Sequence, residues 1–72
     1  MARVLLFGRL ADLAGWREQT IEAPTLGALK AMLADIVGAP GVNAAVDHAI
    51  VRGDMALCAV SEVAFLPPMS GG

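Results

Sequence analysis

The chain has 72 residues, enough for one domain and too few for two, because an independent domain needs roughly 50 residues to enclose a core. Apolar residues make up 57% of it and charged residues 17%, which excludes a disordered chain. The net charge of -2, with Arg3, Arg9, Arg17, Lys30 and Arg52 scattered and never clustered, excludes nucleic acid or an anionic membrane as the main partner.

Residues 2–7 are apolar at consecutive positions after Arg3, which predicts a strand covered on both faces. Arg9 ends this run before a secretory leader would be complete, so no leader is expected. Gly8 breaks the strand, and Leu10, Leu13 and Ala14 recur at helical spacing up to Gly15, a natural left-handed cap. Residues 16–23, closed by Pro24, predict a second strand at a sheet edge. Thr25 can cap the main helix, residues 26–37, in which Leu26, Leu29, Leu33 and Ile36 share one face.

Gly38, Pro40 and Gly41 predict a loop, and residues 44–51 a third strand ended at Gly53-Asp54. Residues 57–60 form a short element of open type. Residues 62–66, bounded by Pro67-Pro68, predict the last strand. Strand, short helix, strand, long helix and two or three further strands make an α+β domain with the main helix against a mixed sheet. Residues 1–66 form the body and residues 67–72 an extended tail.

The tail carries the information. A domain this small has little room for an active-site cleft, so chemistry is expected at an edge or a terminus. Pro67-Pro68 cannot continue a sheet, and Ser70-Gly71-Gly72 offers almost no side chain, so the tail is expected to project. Backbone without Cβ atoms can thread a narrow channel on another protein and deliver its terminal carboxylate. A glycine pair alone is more often a frayed end; its position after a strand and two prolines is what raises its weight.

Elsewhere the chain is sparing. Cys58 has no neighbouring His or Lys to lower its pKa and is expected to be buried and inert. A single cysteine makes no internal disulfide and fits a reducing cytoplasm. His48 and Asp47 would point to opposite faces of the third strand, which argues against a dyad and for a surface histidine. Arg9 and Arg52 read as solvated. Phe65 and Leu66 alternate across the last strand, so one fills the core and the other is a candidate interface anchor. No glycine pattern cradles phosphate, and one His with one Cys makes no closed metal site; no cofactor or metal is expected on this chain.

Phe7-Gly8-Arg9-Leu10-Ala11-Asp12-Leu13-Ala14-Gly15 and, more closely, Glu62-Val63-Ala64-Phe65-Leu66-Pro67-Pro68-Met69-Ser70-Gly71-Gly72 resemble the first strand and helix and the C-terminus of the molybdopterin synthase small subunit family. The resemblance runs through essentially the whole chain. It implies a β-grasp, ubiquitin-like fold and a definite cycle. An E1-like adenylating enzyme uses ATP to activate the Gly72 carboxylate, and a sulfur donor converts it to a thiocarboxylate, leaving 1-thioglycine at Gly72. Pro67, Pro68, Met69, Ser70 and Gly71 then enter the large subunit of the synthase, in a heterotetramer, and the sulfur passes to a pterin precursor of the molybdenum cofactor. The chain is a sulfur-donating subunit, inactive alone. Other carriers with such a tail serve thiamine, cysteine or tRNA thiolation, and a ubiquitin-like modifier or interaction module is the rival of a different class. Two positions depart from the family: Cys58-Ala59-Val60-Ser61 stands where relatives often have an acidic turn, and Asp47 where asparagine is common.

Overall fold

The computed structural model describes residues 2–38, 41–58 and 61–68. The elements in chain order are β1 (Ala2–Leu6), α1 (Arg9–Ala14), β2 (Glu18–Ile21), α2 (Leu26–Met32), α3 (Ala34–Val37), β3 (Asn43–Val46), β4 (Ala49–Val51) and β5 (Glu62–Leu66). The strands form one mixed sheet in the order β2-β1-β5-β3-β4. The last strand of the chain therefore lies at its centre, parallel to β1 and antiparallel to β3. This is an α+β, β-grasp architecture.

Alternation along the strands decides which face is the core. Val4 and Leu6 pair with Val63 and Phe65, and these in turn with Val46 and Ala44. All six are buried, and the cluster closes under Leu10 of α1, Leu26 and Leu29 of α2 and Val37 of α3. Each fully buried aliphatic or aromatic side chain contributes about 1.5–3 kcal/mol of transfer free energy. The helices cover this face alone, so β1 is not enclosed on both sides as its apolar run predicts: Arg3 is exposed and Leu5 only half-buried. Leu5 instead faces the open side, and Phe7, beyond the strand, is 45% exposed.

The main helix predicted over residues 26–37 is two shorter ones. Leu33, at φ -110° and ψ 25°, leaves helical geometry between α2 and α3. Its amide still donates to the Leu29 carbonyl, so the chain bends without losing contact, and Val37 swings into the core where the sequence pattern favoured Ile36. Thr25 is the cap expected of it, its hydroxyl accepting from the Ala28 amide at 3.1 Å. Gly15 caps α1 in the left-handed region at φ 81°.

The third strand predicted over residues 44–51 is a hairpin. Asp47 and His48 both have positive φ, 50° and 73°, and join β3 to β4 as a two-residue turn. Such a turn matches the twist of paired strands, and the aspartate earns its place by accepting a hydrogen bond from the Glu62 amide at 2.9 Å. No strand covers Leu57 or Cys58; Ala56 makes one isolated bridge to Thr25, and Ala59 and Val60 lie outside the described residues. Residues 16–23 shorten to β2, which is an edge strand as predicted.

Candidate functional site

Because β5 is central, both neighbours reach the point where it ends. The ladder stops at Leu6 opposite Phe65 on one side and Asn43 opposite Leu66 on the other. Pro67 and Pro68 follow, and having no amide hydrogen they cannot extend either pairing. Both are half-buried, so the diproline still belongs to the body. Gly8, just past β1, lies against Pro67, and Gly41, just before β3, lies against Pro68. Met69, Ser70, Gly71 and Gly72, and with them the expected acyl chemistry, lie outside the described residues.

A half-open groove of about 510 Å³ adjoins this exit, lined by Leu5, Phe7, Gly8, Asp12, Arg17 and Glu18 among others. Gly8 thus borders both the groove and the diproline. Across the open face of the sheet a row runs in register from Leu5 through Ala64 and Ala45 to Ile50. Ile50 is 53% exposed at the far end, and Leu66 lies on the same face one step along β5. The alternation expected of Phe65 and Leu66 is therefore resolved: Phe65 is fully buried in the core, and Leu66 is the half-buried anchor on the open side.

Charge is peripheral to this row. Arg3 donates to Glu18 through Nε at 2.7 Å and Nη2 at 3.2 Å, a two-point pair between exposed side chains. The hydrogen bond holds the Glu18 carboxyl below its usual range and the Arg3 guanidinium above its own. Arg9 and Arg52 are exposed, as expected. His48 is exposed on the hairpin turn and Asp47 is committed to Glu62, so the two form no dyad.

Cys58 departs from expectation, being exposed instead of buried. Its sulfur lies 3.3 Å from the Ser61 hydroxyl, which also accepts from the Cys58 amide at 3.0 Å, while the Ser61 amide donates back to the Cys58 carbonyl at 3.1 Å. Ser61 is the buried partner of this turn, which is why the cysteine can sit outside. Among the described residues no group of three His, Cys, Asp or Glu side chains could hold a metal ion, and no helix is long and apolar enough to cross a membrane.

What the sequence pattern missed is the pairing of each proline with a glycine distant in the chain, and the apolar row on the open face. Gly8 and Gly41 are legible only as strand breaker and loop residue. The row is built from single residues of four strands, and only the register brings them together.

The same architecture recurs in two solved structures. The solution structure of small archaeal modifier protein 1 from Methanosarcina acetivorans superposes with a TM-score of 0.83 at 20% identity, over 99% of this chain and 95% of that one. The crystal structure of the protein of that name from Haloferax volcanii gives 0.73 at 23% identity, over 99% and 98%. No curated protein sequence is significantly similar. The pattern of the ThiS family, in contrast, matches residues 4–72, from the first core valine of β1 through the terminal glycine pair. With the body and the tail both inside that match, the chain belongs to the ThiS family of ubiquitin-like sulfur carriers.

Proposed function

We propose that this chain is the sulfur-carrying small subunit of a molybdopterin synthase. The observation that carries the reading is the exit of the chain from the centre of the sheet: β5 ends at Leu66, and the diproline seated between Gly8 and Gly41 leads into Met69-Ser70-Gly71-Gly72. The short helix α1 and Pro67-Pro68, which the sequence shares with that subunit, favour this carrier over those serving thiamine, cysteine or tRNA thiolation.

In this reading the Gly72 carboxylate attacks the α-phosphorus of ATP on an E1-like enzyme and expels pyrophosphate, turning a poor electrophile into an acyl-adenylate. A sulfide-equivalent donor then displaces AMP and leaves a thiocarboxylate. On the large subunit that sulfur attacks the pterin precursor, forming a carbon–sulfur bond. Water cleaves the bond between the glycyl carbonyl and sulfur, and the carrier departs as a carboxylate. General acid and base groups come from the two partner enzymes; this chain supplies the tail, its aim and a docking face. The apolar row from Leu5 to Ile50 is suited to that last task, since exposed apolar patches mark partner surfaces.

A second reading follows from the structural neighbours, whose names describe modifier proteins. The same acyl-adenylate, captured by a lysine amine in place of sulfide, would yield an isopeptide at Gly72.

The deciding experiment incubates the protein with cell extract, ATP and a sulfur source, then fragments the C-terminal peptide in a mass spectrometer. Exchange of one oxygen for sulfur, localised to Gly72 at accurate mass and absent without ATP, is the expected result. Localisation matters because oxidation of Met69 gives nearly the same nominal mass change. Co-purification of a large synthase subunit, rather than a thiazole-forming enzyme, supports the molybdenum pathway. Conjugates that survive denaturation, with Gly72 never sulfurated, would replace this reading with the modifier.

A further inference from the structure

We propose that Gly8 and Gly41 are positioning residues that aim the tail, forming a collar whose two sides are each shaped to one proline. The inference rests on the tail being the working part of the chain, and adds to it the residues that set its direction. The collar follows from topology. Strands β1 and β3 flank β5, β1 ends and β3 begins at the level where β5 stops, and the glycines stand immediately outside those strands.

The fit is steric. A Cβ at Gly41 would lie 2.7 Å from Cβ of Pro68, and a Cβ at Gly8 would lie 3.0 Å from Cγ of Pro67. Carbon atoms in van der Waals contact sit about 3.5–4.0 Å apart, so Pro68 would have to withdraw by roughly 1 Å to admit a methyl group at Gly41. Neither proline can yield easily by rotation, because its ring fixes φ and carries the backbone with it. A shift at the diproline is therefore passed to every residue beyond it. Consecutive prolines contacting opposite loops hold the exit from both sides, where a single contact would leave it free to swing.

Both glycines have positive φ, 58° and 86°, so an alanine there is strained by its backbone alone. Gly15 separates the two effects. It has φ 81° with nothing within 4 Å of the position its Cβ would take, so G15A carries a similar backbone penalty and no clash.

The test compares G41A, G8A and G15A, together with the double variants G41A/P68G and G8A/P67A and the matching single proline variants. Three quantities are read: thermal midpoint, initial rate of ATP-dependent sulfuration of Gly72, and NMR shifts of the Pro67 and Pro68 ring carbons. G41A and G8A are expected to charge at least tenfold more slowly than G15A at equal folded fraction, and to move the proline signals where G15A does not. P68G removes the Cβ that Gly41 faces and P67A the Cγ that Gly8 faces, so each glycine substitution should cost little charging in its paired background. Charging of G41A and G8A equal to that of G15A, or an undiminished cost in the paired backgrounds, overturns the collar. If G41A does not fold, the milder contact in G8A carries the same comparison. Should wild-type protein fail to be sulfurated, the functional reading fails instead, and the proline shifts alone decide whether the collar exists.

Discussion

The side chain of Asp54 accepts a hydrogen bond from the amide of Gly27, 27 positions earlier, at 2.6 Å. The same oxygen accepts from the Met55 amide at 2.8 Å, and Leu26 donates to the Met55 carbonyl at 2.8 Å. A carboxylate from a distant loop thus supplements Thr25 at the start of α2, satisfying an amide that the helix itself leaves unpaired. Asp54→Ala is expected to destabilise the protein by about 1–2 kcal/mol in urea denaturation. Gly27 is held to glycine by this contact, since a Cβ there would meet Oδ2 at 2.9 Å. Gly27→Ala should therefore be unfavourable in the wild type and stabilising by about 0.5–1 kcal/mol once Asp54 is alanine, where helix propensity alone remains. Equal effects in both backgrounds would refute the coupling.

The turn between β3 and β4 places a histidine where glycine is preferred. With φ at 73°, His48→Gly should raise stability by about 0.5–1 kcal/mol, the relief of left-handed strain partly offset by the greater entropy of an unfolded glycine. Asp47→Ala should lose about 1–2 kcal/mol, because the Glu62 amide loses its acceptor and alanine tolerates φ 50° poorly. Thermal melts of the two variants, moving in opposite directions, check the assignment.

The two faces of the sheet should answer substitution differently. Phe65→Ala is expected to cost about 3–5 kcal/mol, a large share of the stability of so small a domain, because Phe65 is fully buried at the centre of the core. Ile50→Arg, on the open face, should change stability by no more than about 0.5 kcal/mol. Its expected effect is on partners: the rate of ATP-dependent charging of Gly72 should fall at least tenfold, as an arginine interrupts the apolar row. Unchanged charging would remove the row from the docking surface.

The pair of Arg3 and Glu18 predicts a small pH effect of defined sign. The hydrogen bond from Arg3 lowers the Glu18 pKa in the folded state, so the pair's contribution is present above the unfolded value and is lost as pH falls through the folded one. The window begins near the ordinary glutamate value of about 4.3 and continues below it. Across it the wild type should lose its stability advantage over Glu18→Gln. Both side chains are solvent-exposed, so high salt should shrink that advantage at neutral pH as well. Paired denaturation curves from neutral pH down to pH 3, at low and high salt, measure both effects.

Local chemistry was enough to place much of this molecule. Glu62–Leu66 reads as a strand because its alternation is bounded by two prolines; Thr25 and Gly15 mark helix ends by side-chain and backbone preference; and the extended, side-chain-poor tail after Leu66 is legible without any tertiary information. Where the reading failed, the deciding force was not local. A run of apolar residues in β1 cannot say whether one face or two will be covered, because that depends on where helices far along the chain settle. The hairpin at Asp47-His48 was hidden because neither residue is glycine, and its left-handed backbone is held by pairing with β5. Helix periodicity carried through Leu33, yet the core drew Val37 inward and broke it.

For the functional end of the protein the division is the same. Composition and order determined that residues 67–72 leave the sheet extended and that chemistry belongs to the terminus, since proline has no amide to pair and glycine no side chain to bury. Only the tertiary structure decided which residues stand beside that exit. The parallel pairing of β1 with β5 and the antiparallel pairing of β3 bring Gly8 and Gly41 to the two prolines, and strand register alone lines Leu5, Ala64, Ala45 and Ile50 across the open face. Such contacts join residues far apart in the chain, and no local propensity records them.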